Sequence, residues 1–295
     1  MKQPKRCRIV ILAAILLIAI GIVIVFRLFQ PEAVQFNAAR AMQDAAAQLA
    51  FGPRIPGSEA HRQTVNYIQG QLQAAGWSVE IQQAEVMGHP IQNIIARRGT
   101  GSPWYILGSH YDSRMFADHD ADPANHTQPV SGANDGAATT AILLELARVL
   151  PADLQKQVWL VFFDAEDQGN IPGWDWILGS RYFAENLEGQ PDGVIVVDMV
   201  GDADLQIYYE KNSTQALTHS IWETAAQAGF SQFIPSAKFN MLDDHIPFLQ
   251  LGFPAVDLID FDYPYWHTTQ DTLDKLSEES LYAVGETLRL WLTKP

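Results

Sequence analysis

The sequence predicts a three-layer α/β/α sandwich: one α/β domain whose mostly parallel sheet lies between helix layers. Three observations carry this. Strand-like and helix-like segments alternate along the chain after residue 34. Val158 to Phe163 and Gly193 to Val197 are unbroken apolar runs, the pattern of strands covered on both faces. Acidic and imidazole side chains follow the ends of the strand-like runs, where open α/β sheets bind ligands.

The elements follow in order. Ala38 to Ala50 has helical spacing. Phe51 to Ser58 is a Gly/Pro turn segment, and Ser58 is placed to cap a helix over Glu59 to Ala75. Val79 to Val86, Ile91 to Ala96 and Trp104 to Leu107 read as strands. Asp118 to Gln128, with His119 and His126, reads as an acidic solvated loop. Helices are expected at Gly136 to Leu150, Ser180 to Asn186, Gln215 to Ala228 and Glu278 to Leu292, and a further strand at Phe253 to Ile259.

The amino terminus stands apart. Residues 1–8 carry Lys2, Lys5, Arg6 and Arg8 and no acid, and Ile9 to Phe26 holds no charged side chain. As a helix that run is about 27 Å long, close to the thickness of a bilayer's hydrocarbon core. It has no polar face to turn to water, which argues against a buried soluble helix. Arg27-Leu-Phe-Gln-Pro31 offers no small-x-small cleavage site, so an uncleaved anchor is expected in preference to a signal peptide. The basic cluster should stay cytoplasmic and the remainder should be exported. The expected organisation is a basic tail over 1–8, a transmembrane anchor over 9–27, a linker over 28–34 and a catalytic domain over 35–295.

The chain has 19 basic and 34 acidic residues and a single cysteine, Cys7. Without the five basic residues of the first 27, the exported part has 14 basic and 34 acidic residues and a net charge of −20. That balance argues against nucleic acid as a partner. One cysteine excludes an intrachain disulfide and a cysteine-based zinc site, so any metal must be held by His, Asp or Glu.

Such groups gather at the expected strand ends. His110 and Asp112 follow one strand, Asp164, Glu166 and Asp167 the next, Asp198 a third, and His267 comes after the last; Asp135 opens a helix. Each has a structural explanation alone: Asp135 as a helix cap, His267 as a packed histidine, Asp164 or Asp198 as braces of a turn. Converging on one cleft, the carboxylates would repel one another unless protonated or neutralised by a cation. Zinc accepts both imidazole nitrogen and carboxylate oxygen.

The motifs Gly52-Pro-Arg-Ile-Pro-Gly-Ser58, Ser109-His-Tyr-Asp-Ser113, Gly132-Ala-Asn-Asp-Gly136, Phe162-Phe-Asp-Ala-Glu-Asp167, Val197-Asp-Met-Val-Gly201, Asp243-Asp-His-Ile-Pro-Phe248 and Trp266-His-Thr268 occur in this order. In that order the chain resembles the zinc-dependent exopeptidase superfamily, which holds co-catalytic zinc aminopeptidases and the animal and bacterial glutaminyl cyclases. The resemblance implies a mixed central sheet. It is nearest to the bacterial cyclases, through His110 to Arg114, the acid at Asp243, Trp266 before His267, and the Glu166-Asp167 pair. The resemblance implies that Asp135, Asp167 and His267 hold one zinc ion. It makes Glu166 the acid/base, with Asp198 and Asp243 completing a hydrogen-bonded acidic cluster. Trp266, with Trp174 or Trp176, would wall the substrate pocket. Asp257 stands where animal cyclases have a pocket histidine. The implied reaction converts amino-terminal glutamine of peptides or proteins to pyroglutamate and ammonia. An aminopeptidase would instead hold a second zinc on His110 and Asp198, bridged by Asp135. A catalytically silent binding module is the third reading; the presence of Glu166 and all three implied ligands argues against it.

Overall fold

The computed structural model describes residues 34–294. The apolar run from Ile9 to Phe26 lies outside the described residues. Among the described residues no helix is long and apolar enough to cross a membrane.

Two helices open the fold. Helix α1 (Ala38–Ala50) is capped by Asn37 and α2 (Glu59–Ala74) by Ser58, whose side chain accepts from the amide of His61 as the sequence implied. Strands β1 (Ser78–Val86) and β2 (His89–Arg98) form a hairpin in which Val86 pairs with His89. Its two turn residues, Met87 and Gly88, both have positive φ (54° and 83°). That matches the right-handed twist of the strands they join.

Strands β3 (Trp104–His110), β4 (Gln157–Phe163) and β5 (Gly193–Asp198) follow, with α3 (Thr139–Val149) and α4 (Leu178–Glu185) between them. Then come β6 (Ile207–Tyr209), α5 (Gln215–Ala228), β7 (Phe233–Ala237), α6 (Ile246–Gln250), β8 (Ala255–Ile259) and α7 (Glu278–Thr293). The main sheet has the order β1-β2-β4-β3-β5-β8. The pairs β4/β3, β3/β5 and β5/β8 are parallel, and β1/β2 and β2/β4 are antiparallel. The sheet is therefore mixed, and its parallel half carries the strand ends that matter for chemistry.

The unbroken apolar strands divide their side chains between two cores. Leu160 and Phe162 join Leu107, Ile195 and Val197 in a core with Ile68 of α2, Leu143 of α3, Ile221 of α5 and Leu288 of α7. Val161 and Phe163 join Ile106, Val194 and Val196 against Phe183 of α4 and Phe248 of α6. This alternation across a pleated sheet makes three layers. Phe162 is fully buried. Its replacement by alanine is expected to cost about 3–5 kcal/mol, read as a lower denaturant midpoint at unchanged slope.

Several elements differ from expectation. Strands β6 and β7 form a separate two-stranded parallel sheet. They are three and five residues long, too short for a period to show, and β7 carries Pro235. Helical backbone starts at Gly136 as expected, directly after Asp135, whose own angles are non-helical (φ −102°, ψ 81°), but its first residues belong to a wider π-turn over Ala133–Ala138 and the regular α-helix runs from Thr139. The Asp118–Gln128 loop is not simply solvated. Asp120 accepts from the amide and hydroxyl of Thr269, and the His119 amide donates to the carbonyl of His267. The loop thus pins the segment that carries His267.

Candidate metal and active site

The parallel strands end together, and the chemistry-bearing residues sit there. His110 and Asp198 are the last residues of β3 and β5. Glu166 and Asp167 lie just beyond β4, Asp135 precedes α3, and His267 lies in the loop after β8. All six are buried.

Two trios share Asp135. In the first, His267 Nε2 is 2.7 Å from Asp167 Oδ1 and 3.8 Å from Asp135 Oδ2. In the second, His110 Nε2 is 3.0 Å from Asp135 Oδ1 and 3.1 Å from Asp198 Oδ1. Ligand atoms of each trio lie within 4.8 Å of one another. Tetrahedral zinc ligands at about 2.0–2.1 Å stand about 3.4 Å apart, a value the two His267 distances bracket. Asp135 Oδ2 and Asp167 Oδ2 are buried without a hydrogen-bond partner. Orphaned carboxylate oxygens beside an imidazole nitrogen, in a site without cysteine, fit a zinc ion.

Local structure sets these positions. Asp112, fully buried, accepts from the amides of Glu166 (3.1 Å) and Asp167 (3.3 Å) and from Gln168 Nε2 (3.0 Å). It also lies 3.4 Å from His110 Nδ1, so one carboxylate orients an imidazole and the turn after β4. Asp271 accepts from the amides of Asn134 and Asp135 and from the Tyr263 hydroxyl. Arg54, fully buried, donates to the carbonyls of Tyr111, Ser131 and Gly132. It ties the Gly/Pro segment to the Asp135 loop. The sequence reading missed Asp271 and the role of Arg54. No local pattern marks either: Arg54 acts only on backbone groups more than fifty residues away, and Asp271 reaches the Asn134 and Asp135 amides from more than a hundred residues away. Gly136 is required by close approach, since a Cβ there would fall 2.7 Å from His110 Nε2.

Electrostatics separate the acids. Burial drives the Glu166 carboxyl well above its ordinary range, and Asp167, Asp243 and Asp244 add to this against the pull of His110. Burial also lifts Asp167 to about 6, with Asp135 adding, and Asp198 to about 7, with Asp243 adding. Asp135 goes the other way, because the hydrogen bond and charge of His110 and the charge of His267 overcome its burial. For His267, burial lowers the pKa, but Asp167 and Asp118 outweigh it and raise it to about 9. Zinc must displace that proton. Its affinity is therefore expected to rise with pH up to about 9, with proton release on binding, as a calorimetric titration in buffers of different ionisation enthalpy would show.

A cavity of 190 Å³ opens onto Asp135 and Asp167 of the first trio. Its polar floor is Asp135, Glu166, Asp167, Asp198 and Asp243, and its apolar walls include Trp176, Trp266 and Phe261. Trp266 and Trp176 stack on His267 at centroid distances of 3.8 and 5.9 Å. Trp174 does not line this cavity: it stacks on His89 at 3.5 Å, among Ile91, Ala165 and Leu178. The spacing of the two indoles along the loop gave no means of choosing between them. A Cβ on Gly169 would lie 2.0 Å from the Trp176 ring. Gly169→Ala is therefore expected to displace Trp176, shifting tryptophan fluorescence and weakening ligand binding in the cavity while leaving metal content unchanged.

Comparison with known proteins agrees with this geometry. A family model described as Peptidase family M28 matches residues 93–292. The crystal structure of Tannerella forsythia glutaminyl cyclase superposes with a TM-score of 0.82 at 35% identity, covering 89% of this chain and 100% of that one. A leucine aminopeptidase precursor from Bacteroides thetaiotaomicron superposes with a TM-score of 0.85 at 32% identity, covering 90% and 99%. A glutaminyl-peptide cyclotransferase-like protein from Bos taurus is 26% identical over 283 residues, spanning 82% of this chain and 72% of its own length. With a zinc-type cluster at the parallel strand ends and a family match over most of its length, the chain belongs to peptidase family M28.

Proposed function

We propose that this chain is a zinc-dependent glutaminyl-peptide cyclotransferase, converting amino-terminal glutamine of peptides and proteins to pyroglutamate with release of ammonia. The observation that carries the reading is one cavity holding a buried, high-pKa Glu166 beside the Asp135–Asp167–His267 trio and under two indole walls. The similarity to glutaminyl cyclases of known structure supports it.

In this reading Asp135, Asp167 and His267 hold one zinc ion. When bound, it supplies Lewis-acid polarisation of the glutamine side-chain carbonyl. Glu166 takes a proton from the free α-amine as the nitrogen closes on the side-chain carbon, and returns it to the departing nitrogen, which leaves as ammonia. A carboxylate with a raised pKa suits both transfers. Asp198 and Asp243 orient the amine by accepting hydrogen bonds. Trp176 and Trp266 exclude water, which favours ring closure over hydrolysis. Trp176→Ala is expected to raise KM more than it lowers kcat, as steady-state kinetics on a glutaminyl peptide would record.

The aminopeptidase reading draws on the second trio, His110–Asp135–Asp198, which could hold a second ion. One experiment separates the two. The detergent-solubilised full chain is offered an amino-terminal glutaminyl peptide and a leucyl anilide, and its bound zinc is counted. Ammonia and pyroglutamyl product with one zinc per chain supports the cyclase. Release of free amino acids with two zincs overturns it.

We also propose that Ile9–Phe26 anchors the chain in a membrane with the domain outside the cytoplasm. Its length, apolarity and preceding basic residues support this. Recovery of the full chain in the soluble fraction, or cytoplasmic protection of the domain from added protease, would overturn it.

A further inference from the structure

Behind the cavity floor lies a polar string that the mechanism above does not use. Glu210 follows β6, His245 precedes α6, and Asp257 sits within β8. The three are 3%, 0% and 0% exposed. Glu210 Oε2 accepts from the amides of Asn212 and Ser213 and from the Ser213 hydroxyl, and Oε1 accepts from the Met241 amide. Burial opposes its charge, yet His245 and these donors hold Glu210 at about 2, so it is ionised.

Both nitrogens of the His245 ring face carboxylates. Nε2 is 3.2 Å from Glu210 Oε2, and Nδ1 is 3.7 Å from Asp257 Oδ2. Both ring nitrogens and both Asp257 oxygens are buried without a hydrogen-bond partner, so these close approaches are the only polar contacts that the ring makes. An oxygen of Asp243, which lines the cavity, completes a cluster with His245 and Asp257 within 4.8 Å. Two further acids lie on this side, Asp244 and Asp198, both buried.

The proton count follows from the geometry. A bare nitrogen lone pair 3.2 Å from an ionised carboxylate in a dry interior is repulsive, so the hydrogen of the ring belongs on Nε2, beside Glu210. The same argument applied to Nδ1 and Asp257 leaves room for one proton between them, on either atom.

We propose that Glu210 and His245 are positioning residues, which hold one proton between His245 and Asp257 so that Asp257 meets Asp243 as an oriented partner rather than as a second bare anion. Asp243 is then free to accept from the substrate amine. Burial, with Asp243, Asp198 and Glu210 nearby, drives the Asp257 carboxyl well above its ordinary range, in keeping with that arrangement. The proton assignment stands on the structure alone; only its kinetic consequence rests on the cyclase reading.

The test has two arms, both on the full chain. In the first, the ring nitrogens of ¹⁵N-histidine-labelled protein are read by NMR, with His245 assigned by its loss in His245→Gln. Hydrogen on Nε2, with Nδ1 either protonated or accepting a hydrogen bond, is expected. A neutral ring with hydrogen on Nδ1 alone overturns the proposal, whatever reaction the protein performs. In the second arm, His245→Leu at full zinc occupancy is expected to lower kcat by at least about tenfold, part of the 10²–10⁴-fold a positioned acid–base group contributes, and to move the acidic limb of the pH profile. His245→Gln, which can donate to Glu210 and accept from Asp257, should restore most of the activity. Should His245→Leu fail to fold, Glu210→Gln, which keeps the shape and removes the charge, is expected to shift the same limb. A zinc-loaded variant with an unaltered rate and pH profile overturns the kinetic role. Absence of cyclisation by the unmodified protein sinks the cyclase reading and leaves the NMR arm to decide the proton assignment.

Discussion

Glu166→Gln is expected to lower kcat about 10²–10⁴-fold while bound zinc stays in place. The substitution preserves volume and removes the proton carrier. Glu166 is buried at the cavity floor but belongs to neither candidate trio, so its loss should not strip an ion held there. Its backbone amide, which donates to Asp112, is unaffected, so the turn after β4 keeps its shape. Zinc by elemental analysis and ammonia release by a coupled assay are the two measurements. Full turnover with glutamine at this position would remove Glu166 from its role. Loss of both zinc and activity would make it a ligand instead.

Asp135→Asn and His267→Ala are expected to abolish activity through loss of the ion, and Asp198→Asn to separate the one-ion and two-ion readings. Asp135 faces both imidazoles, His110 at 3.0 Å and His267 at 3.8 Å, so its charge serves either arrangement. His267 contributes the one nitrogen of the first trio. Outer-shell partners of metal ligands are worth about 10–100-fold in affinity, and loss of a ligand should exceed that. Zinc affinity of the stripped protein, measured by competition with a chelator, reads the effect without reference to turnover. Asp198→Asn is expected to leave one zinc per chain unchanged. A fall from two ions to one would favour the aminopeptidase arrangement and exclude the single-ion mechanism. The same titrations repeated at pH 6 and pH 8 should show weaker binding at the lower pH, because the ion competes with the proton on His267.

The tryptophans and histidines show where sequence reasoning stops. Trp174 and Trp176 are two residues apart in a loop without a regular period, so nothing local says which indole turns inward. In the structure Trp176 stacks over His267 and Trp174 stacks on His89 of the first hairpin. The acidic stretch around His119 has the composition of a solvated loop, yet Asp120 fixes it to Thr269, well over a hundred residues away. Asp112, Asp271 and Arg54 hold the site through backbone groups, and a backbone amide or carbonyl leaves no mark in a residue sequence.

By itself the sequence determined the layered architecture, because strands covered on both faces must be apolar throughout and their helices must carry an apolar stripe. It also determined that any metal would be held by His, Asp or Glu, and that the acids and imidazoles would meet at the carboxyl ends of parallel strands. Only the tertiary structure decided that Asp135 stands between two imidazoles, which indole walls the cavity, and that His245 bridges Glu210 and Asp257. Those outcomes depend on long-range contacts set to a fraction of an ångström, and such contacts arise from packing the whole domain, not from any local pattern of residues.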